Sequence, residues 1–390
     1  MDRKHLHKNW KMYIAAVAAT VWLLAYCRDP YDPGIKGQDL DYLVVDGIIT
    51  TGEDTTVIKL SRSVPLSEEV KTVPEKGAAV SIEIEGAETY GLAETAPGEY
   101  KGIATKLAAG QNCRLVIATA NGKHYKSASV PVRRTPPIDS IGIYRYHDGM
   151  QTYVDASDPS GETRYYRWSY EGTYEYRSQY IAYIYFDRTD SLIKQNGYDY
   201  YIELYRCWQE DPSTQLFVAT SEQLGQDEIY HTPLKLFTHN DPRLAWGYSM
   251  LLKQYALTPQ AYDYYKNLRA VTEQLGDIFG QLPSELRGNI SCDEDPSETV
   301  IGFMSAATLS KKRQFFGRPG NWTYREVCET ADTVTTTTKL GRYQHFSTSN
   351  VFPVYINNDE QKKELGKIRN FNCIDCRSQG GTNVMPEFWP

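Results

Sequence analysis

Hydrophobic and polar residues alternate along several stretches of the chain, which is the pattern of half-buried β-strands. In residues 80–85 every second residue is Val or Ile, and the residues between them are Ser or Glu. In residues 166–171 Tyr and Trp alternate with Arg, Ser and Glu, and a weaker form of this pattern recurs in residues 198–208. Each pattern gives one apolar and one polar face, so we expect antiparallel sheets with one face buried.

A hairpin is predicted around Asn121-Gly122, which stands between the strand-like residues 115–120 and 123–128. In a two-residue hairpin loop both central positions need positive φ, and Asn-Gly is the pair that adopts it most readily. Short strands and Gly-containing turns continue over residues 39–135, which predicts an immunoglobulin-like β-sandwich. Pro136-Pro137 stiffens the chain, lacks two amide donors and marks the boundary of this domain.

Residues 138–390 predict a larger β-rich domain with one prominent helix near residues 259–280. Thr258 can cap this helix and Pro259 fits its first turn, while Gly280 and Pro283 end it. The apolar positions near helical spacing are Tyr262, Tyr265, Leu268, Leu275 and Phe279. A single helix among strands is expected to cover an edge or an open end of a sheet, because exposed edges invite aggregation. The predicted fold class is therefore mostly β.

The first 26 residues have the pattern of a lipoprotein signal peptide. Residues 1–11 carry four Lys or Arg, whereas residues 12–26 carry no charge. An uncharged run of about 15 residues is shorter than the roughly 20 that a membrane-spanning helix needs. We therefore favour a cleaved signal over a permanent transmembrane anchor.

The uncharged run ends in Leu24-Ala25-Tyr26-Cys27, which looks like a bacterial lipobox. In a lipobox the bond before the cysteine is cut and its thiol is acylated, so Cys27 would become the lipidated first residue. Two or more acyl chains hold a protein in a membrane stably, whereas one chain is marginal. Tyr26 departs from the small residue that usually precedes the cysteine. The alternative is a secreted protein in which Cys27 forms a disulfide. Residues 27–38, rich in Pro, Gly and Asp, predict a flexible lipidated tether.

The charge balance argues against a nucleic-acid partner. Removing residues 1–26 takes away four Lys or Arg and one Asp, which changes the formal net charge from −7 to −10. Phosphate backbones bind concentrated Lys and Arg, so an acidic body of this kind does not fit them. Tyrosine is abundant, with 31 residues against 11 Phe and 7 Trp, and its half-polar ring suits a pleated sheet surface.

The cysteine count fits an exported protein. Six cysteines remain when Cys27 is set aside: Cys113, Cys207, Cys292, Cys328, Cys373 and Cys376. An even number outside the cytosol makes all six disulfide candidates, with fifteen possible connectivities. Cys113 lies in a strand-like stretch, so a buried free thiol is the alternative for this residue.

Metal and catalytic signatures are weak. The seven histidines show no metal-ligand spacing outside the signal region, and Cys373-Ile374-Asp375-Cys376 has no second pair to complete a zinc site. The sequence contains no GxSxG elbow and no Gly-rich phosphate loop. The acidic run 293–295 is far more typical of a solvated loop than of a paired-carboxylate site. We therefore expect no catalytic residues, no metal and no cofactor, with a cell-surface hydrolase as the minority alternative.

Binding is the remaining class of function, and aromatic residues are the candidates for it. Tyr166, Trp168, Tyr170 and Tyr174 could stack on a sugar or pack against a peptide, because their rings combine apolar faces with polar rims. The alternation also allows the opposite interpretation, in which half of these rings lie inside a β core.

Several stretches together resemble an outer-membrane lipoprotein family of Bacteroidota, the domain of unknown function numbered 4249. The stretches that carry the resemblance are "CRDPYDPGI", "LVVDGIIT", "IKLSRS", "GKHYKSASVPV", "PPIDSI", "YYRWSYEGTYE", "YRCW", "YSMLLKQYALTPQAYDYYKNL", "GNISCDEDPSETVIGFMSAAT", "KKRQFF" and "NCIDCRSQGGTNVMPEFW". They run through nearly the whole chain, and the last is the most specific.

The resemblance implies a surface-exposed, non-catalytic accessory of a TonB-dependent transporter of the SusC type, which captures a peptide or glycan nutrient. It also implies that Asp29 and Asp32, close to the lipid anchor, act as a signal for export to the outer face of the outer membrane. Three Asp-Ser/Thr-apolar tripeptides match the O-glycosylation pattern of Bacteroidota, at Ser140, Ser191 and Thr333. An adhesin-like or envelope-organising lipoprotein without a small ligand is the alternative.

Overall fold

A computed structural model of the protein describes residues 41–64, 73–273, 286, 288–322, 324, 328, 331–335, 338–348, 350–359 and 362–390. The predicted signal peptide, Cys27, Asp29, Asp32 and the tether 27–38 lie outside these residues. The described residues of 42–62 and 73–390 belong to one unit.

Strands dominate the described part of the chain, as the sequence predicts. Those before residue 135 are β1 (Leu43–Thr50), β2 (Thr56–Arg62), β3 (Val73–Pro74), β4 (Ala79–Ile84), β5 (Thr89–Ala96), β6 (Glu99–Gly102), β7 (Asn112–Ala118), β8 (His124–Ser127) and β9 (Val130–Arg133). Those that follow are β10 (Ile138–Tyr146), β11 (Gly149–Ser157), β12 (Tyr165–Arg177), β13 (Ile184–Asp187), β14 (Leu192–Gln195), β15 (Arg206–Pro212), β16 (Phe217–Thr220), β17 (Glu228–Phe237) and β18 (Tyr248–Ala256). The last are β19 (Ile290–Cys292), β20 (Ala306–Ala307), β21 (Ser310–Phe316), β22 (Asp332–Thr333), β23 (Phe352–Asp359) and β24 (Lys362–Ile368).

The described α-helices are α1 (Tyr198–Tyr205), α2 (Pro259–Glu273) and α3 (Lys339–Phe346). Short 3₁₀ helices lie at Pro242–Leu244, Phe371–Cys373 and Cys376–Gln379.

Eleven of the described strands form the first sheet. Their order is β19-β8-β7-β4-β5-β6-β2-β1-β20-β9, with β3 beside β2 and a further pairing of β7 with β9. That pairing closes the order from β7 to β9 into a ring, so most of these strands have a partner on both edges. In β4 the side chains of Val80, Ile82 and Ile84 are buried in the core of this ring, on the face that the alternation predicts.

The predicted hairpin is formed by β7 and β8, but its loop differs from the prediction. The Thr119 N–H donates to the Lys123 carbonyl at 2.9 Å, and the Gly122 N–H donates to the Thr119 carbonyl at 2.9 Å. Of the loop residues only Gly122 adopts the left-handed backbone conformation, with φ of 86°. The loop is therefore a three-residue turn with glycine at its last position, not a two-residue turn with two positive φ values.

Two short strands from late in the chain complete the first sheet. β19 pairs antiparallel with β8, and β20 lies parallel between β1 and β9. The Ile49 N–H donates to the Ser305 carbonyl at 2.9 Å, and Ile290 and Met304 belong to the same apolar core as β4. The sandwich predicted for residues 39–135 thus also takes in parts of residues 290–307. Local sequence patterns do not predict that the chain comes back to the first sheet at β19 and β20, because parallel strands such as β20 need long crossover connections.

β12 is the central strand of the second part of the structure. It is 13 residues long and pairs with β15, β16 and β18, while β18 also pairs with β21. A separate sheet has the order β10-β11-β17. Its inner face shares one apolar core with Tyr166, Trp168 and Tyr170 of β12. Pro136-Pro137 lies between β9 and β10, where the chain leaves the first sheet.

Helix α2 lies within the range predicted from the sequence, and residues 274–280 of that range are outside the described residues. The Thr258 hydroxyl caps the helix by accepting from the Ala261 N–H at 3.2 Å. Tyr264 and Tyr265 are buried in a cluster with Val218 of β16, a strand that pairs with β12 alone among the described strands. The helix thus packs beside a sheet edge.

A smaller C-terminal lobe consists of the β13–β14 hairpin, α1, α3, the sheet β22-β24-β23 and the segment around Cys373. Its apolar core contains Ala182, Leu204, Ala331, Val354, Ile368, Cys373 and Ile374. No helix of the described residues combines the length and apolarity that crossing a membrane requires.

We predict that Gly172→Ala destabilises the protein. Gly172 of β12 faces Asp211 of β15, and an added Cβ would clash with the Tyr248 hydroxyl and lie 2.5 Å from the Asp211 carbonyl oxygen. Because the backbone of β15 must shift to accommodate it, we expect the free energy of unfolding to fall by about 1–3 kcal/mol.

Gly91→Ala is the matched control, since Gly91 also lies in a strand but has open space where its Cβ would be. Urea unfolding followed by circular dichroism measures both variants. Equal stabilities for the two variants would contradict the packing that we describe around Gly172.

Candidate ligand-binding site

Three of the four aromatic residues that the sequence offers as ligand contacts fill the core. Tyr166 exposes 0%, Trp168 1% and Tyr170 6% of its surface. The Trp168 indole N–H donates to Gln254 Oε1 at 2.7 Å, and the Tyr166 hydroxyl donates to Asp227 Oδ2 at 2.6 Å. Their side chains point to the inner face of β12, so they are not available to a ligand. This corrects the binding role given to them above in favour of its alternative.

The fourth residue, Tyr174, is half-buried and borders a cavity of about 400 Å³ beside His239 and Arg243. Its hydroxyl donates to Gln209 Oε1 at 2.6 Å, which fixes the ring at the cavity wall. Tyr174 therefore remains a candidate for ligand contact.

A half-buried ion network adjoins this cavity. The Asp211 carboxylate accepts from the Tyr248 hydroxyl at 2.7 Å and from Arg243 Nη1 at 3.0 Å, and its other ion pair is with Lys235 Nζ at 2.9 Å. Burial by itself would raise the pKa of Asp211. Hydrogen bonds from Tyr248 and Lys235, together with the charges of Lys235 and Arg243, outweigh it and lower this pKa. The charges of Asp211, Lys235 and Arg243 are paired within the protein, which is typical of a structural role.

A second cavity, of about 530 Å³, lies between β1, β12 and α2. The Arg167 guanidinium lies 4.2 Å from the ring centre of Tyr265 and 3.6 Å from Asp46 Oδ1. Lys253 forms an ion pair with Glu171 on the same wall. Because these charges are paired within the protein, we assign no ligand to this cavity.

A third cavity, of about 600 Å³, opens in the C-terminal lobe and is lined mostly by apolar and aromatic side chains. The apolar lining residues include Ala182, Ile184, Tyr185, Phe186, Tyr200, Leu204, Phe346, Phe352, Phe371 and Ile374. The polar lining residues include Arg188, Gln195 and Asn196. An apolar wall with a few polar groups, in a cavity of this size, is the usual composition of a site for a small molecule or a peptide side chain.

The mouth of this cavity carries exposed aromatic rings. Tyr185 exposes 41%, Tyr200 51% and Phe371 44% of its surface. The Phe371 ring centre lies 5.2 Å from that of Phe352 inside the cavity wall. A ligand could therefore contact aromatic surface continuously from the mouth inward.

Local hydrogen bonds hold the hairpin that forms one wall. The Asn196 side-chain amide donates to the Ala182 carbonyl at 2.6 Å, and its backbone N–H donates to the Tyr183 carbonyl at 2.8 Å. At the tip Lys194 forms ion pairs with Asp187 and Asp190. The hairpin is thus closed at both ends by contacts within the protein.

Two disulfides fasten the lobe. Cys373 pairs with Cys328 and Cys376 pairs with Cys207 of β15, with Cα–Cα distances of 5.9 Å and 5.7 Å. The two cysteines of the CxxC motif are therefore not a redox pair with each other. Each bridge closes a long loop, of sequence separation 45 and 169, and loops of such length gain about 2–5 kcal/mol of stability.

The remaining two candidates do not form a disulfide. Cys113 and Cys292 are free and buried, and both side chains pack in the apolar core of the first sheet. This corrects the expectation of six disulfide cysteines, and for Cys113 the alternative of a buried thiol is the outcome. Spacing alone does not distinguish a cysteine that fills a core from one that faces a partner.

The three O-glycosylation candidates lie in different settings. Ser140 is half-buried in β10 and its hydroxyl donates to Asp155. Ser191, at the tip of the β13–β14 hairpin, has φ of 57°, and Thr333 is exposed in β22. Their modification stays a prediction. Among the described residues no group of three or more His, Cys, Asp or Glu is placed to hold a metal ion.

Comparison with known proteins gives one family match. The profile of the family described as "Domain of unknown function (DUF4249)" matches residues 28–313. The chain therefore belongs to the DUF4249 family, which confirms the family named from the sequence; the terminal stretch "NCIDCRSQGGTNVMPEFW" lies outside the matched residues. No curated protein matches the chain.

Solved structures give distant likenesses only. The FN1–FN3 domains of chicken CNTN1 are 12% identical, with 55% of this chain and 62% of that chain covered and a TM-score of 0.17. The chain thus spans less than two thirds of that structure. The Yersinia pseudotuberculosis adhesin InvE is 12% identical, with coverage of 85% and 76% and a TM-score of 0.18. Likenesses at these TM-scores carry no information on function.

We predict that two of the six cysteines from Cys113 to Cys376 are free thiols. Alkylation of the denatured, unreduced protein should label Cys113 and Cys292, and reduction should make the other four available. Burial raises the pKa of the Cys113 thiol to about 12, so the reactive thiolate is scarce at neutral pH and labelling of the native protein should be slow. Peptide mapping by mass spectrometry measures each site. Labelling of Cys373 or Cys376 before reduction would contradict the pairing.

Proposed function

We propose that this DUF4249 protein is a non-catalytic lipoprotein on the outer face of a bacterial outer membrane, where it captures a nutrient for a TonB-dependent, SusC-like transporter. The observation that carries the capture role is the aromatic cavity of the C-terminal lobe. Its walls are pre-formed by a closed hairpin and two disulfides, and pre-formed apolar cavities are the common form of ligand sites.

Of the two nutrient classes expected from the sequence, the cavity favours a peptide. Its interior is lined by side chains such as Ile184, Leu204 and Phe352, which match a large apolar side chain rather than a sugar hydroxyl. The polar groups of Arg188 and Gln195 at the wall offer hydrogen-bond donors to peptide carbonyls. We therefore propose a short peptide with a large apolar residue as the ligand of this cavity.

The proposals of a lipid anchor at Cys27 and of a transporter partner rest on the sequence and on the family resemblance. Acylation of Cys27 would hold the protein in the membrane, and Asp29 and Asp32 would direct it to the cell surface. A lipid at the first residue of a tether leaves the folded part free to reach a neighbouring transporter in the same membrane.

A substitution of Tyr200 tests the proposed peptide ligand, because Tyr200 lines the cavity and is 51% exposed. A mixture of random hexapeptides is passed over the full-length protein in detergent, and the retained peptides are identified by mass spectrometry. We expect them to be rich in large apolar residues and Tyr200→Ala to bind them about fivefold to tenfold more weakly, because one aromatic contact is lost.

Tyr198→Ala is the matched control, since Tyr198 lies on the same helix α1, is 69% exposed and does not line the cavity. It should bind the peptides as the unchanged protein does. Retention of no peptide, or equal losses in the two variants, would exclude the cavity as a peptide site.

The anchor and the partner are tested in cells that make the protein naturally. We expect Cys27→Ala to release the protein from membranes and to abolish co-purification of a TonB-dependent transporter. Protease treatment of intact cells should digest the unchanged protein, whereas Asp29→Asn with Asp32→Asn should leave it protected inside. Co-purification of no transporter with the unchanged protein would refute the partnership, and an unaltered membrane fraction of Cys27→Ala would refute the anchor.

A further inference from the structure

The sheet β10-β11-β17 carries a continuous row of rings on the face opposite its core. We call it the aromatic row, and its members are Tyr144, Tyr146, His147, Tyr153, Tyr230 and His231. Ring centres are 6.4 Å apart for Tyr144 and Tyr146, 5.8 Å for Tyr144 and Tyr153, and 3.9 Å for Tyr153 and His231. Tyr230 stacks on His231 at 3.9 Å with an interplanar angle of 25°. The row therefore crosses all three strands.

The rings lie on the outer face because the side chains of the inner face pack into the core. Ile141, Val154 and Phe237 are buried in the core with Trp168. On the outer face Gly142 of β10 stands opposite Tyr153 of β11, and the Tyr153 ring lies where a Cβ of Gly142 would be. The glycine thus lets this ring lie flat on the strand surface.

A bulge in β17 adds the last two rings. Ile229 pairs with Ala156 and Thr232 pairs with Val154, so Tyr230 and His231 together face the single residue Asp155. His231 has the left-handed φ of 50°, and its N–H donates to Asp155 Oδ1 at 2.7 Å. Bulges of this kind re-aim side chains and are frequent beside functional sites.

Exposure shows that the row is a surface and not a part of the core. Tyr144 exposes 37%, Tyr146 46% and Tyr230 70% of its surface. Single exposed apolar residues are ordinary on protein surfaces, whereas a contiguous patch marks an interaction site. Six adjoining rings of which three tyrosines are this exposed form such a patch.

We propose that the aromatic row binds a neutral polysaccharide chain. The faces of sugar rings are rich in C–H groups that stack on aromatic rings, and sugar hydroxyls bond to tyrosine hydroxyls and imidazole nitrogens at the ring edges. The charge of the row selects the class of ligand. Asp155 beside the row is occupied by His231 and Ser140. Arg145, between Tyr144 and Tyr146 in the chain, donates to the Gly320 carbonyl, and no member of the row is a Lys or Arg of the kind that an anionic polymer or a lipid surface needs.

This site is independent of the cavity in the C-terminal lobe and of any transporter. The aromatic row lies on β10, β11 and β17, whereas the cavity lies on β13, β14, α1 and α3. The polysaccharide and the proposed peptide are therefore separate ligands, and either proposal can fail without the other.

Affinity electrophoresis of the full-length protein in detergent tests the proposal. The gels contain dextran, laminarin, xylan or yeast mannan as neutral polysaccharides, and polygalacturonate as the anionic one. We expect at least one neutral polymer to retard the protein and polygalacturonate not to. Tyr144→Ala and Tyr230→Ala should each weaken retardation about tenfold, because each removes one stacking ring. Tyr144→Phe should retain it, since the ring remains.

Tyr343→Ala is the matched control, because Tyr343 on α3 is 49% exposed and lies outside the row. Circular dichroism and thermal unfolding verify that all variants are folded. Retardation by none of the neutral polymers, stronger retardation by polygalacturonate, or equal retardation of Tyr144→Ala, Tyr230→Ala and Tyr343→Ala would overturn the proposal. The proposal would also be overturned if the row bound peptides and no polysaccharide, and if Tyr144→Ala weakened that peptide binding.

Discussion

The second part of the structure depends on one constraint, which is that β12 packs against other elements on both of its faces. On one face Tyr166, Trp168 and Tyr170 fill the core that β12 shares with the sheet β10-β11-β17. On the other face the Arg167 guanidinium lies 4.2 Å from the ring centre of Tyr265 of α2 and 3.6 Å from Asp46 of β1. The Arg167 side chain is 13% exposed, and a ring and a carboxylate take the place of part of its hydration. One strand thereby contacts the helix, the first sheet and the aromatic core, and it pairs with β15, β16 and β18.

The sequence predicts the parts of this arrangement that local patterns determine. The alternation in residues 166–171 predicts β12 and, as one of its two interpretations, the burial of its rings. The alternation in residues 80–85 predicts β4, and Thr258 predicts the start of α2. These signals work because the period of side chains along a strand or helix is a local property. The loop around Gly122 shows the limit, since Asn-Gly fits both a two-residue and a three-residue turn and the choice depends on strand register.

The parts that could not be predicted are made by residues far apart in the chain. β20 lies between β1 and β9 although more than 170 residues separate Ala306 from Val132. Cys207 pairs with Cys376 across a separation of 169, one of fifteen possible connectivities. The candidate cavity has the same origin, because Ile184 and Phe352 line it together although 168 residues separate them in the chain. The aromatic row was missed for another reason: Tyr230 and His231 lie in a bulge, which breaks the period of two that strand prediction relies on.

The two proposed sites differ in the size of the core behind them and in the presence of disulfides. The aromatic row lies on a sheet whose other face packs into a core of large residues including Trp168, Phe237 and Tyr248, so apolar burial adds to the hydrogen bonds between its strands. The cavity lies in a lobe whose described core is small and includes Ala182, Ala331 and a disulfide cysteine. Small cores rarely provide enough stability for a fixed fold without cross-links. The disulfide Cys328–Cys373 lies in this lobe, and Cys207–Cys376 ties the lobe to β15, whereas Cys113 and Cys292 are thiols inside the larger core of the first sheet.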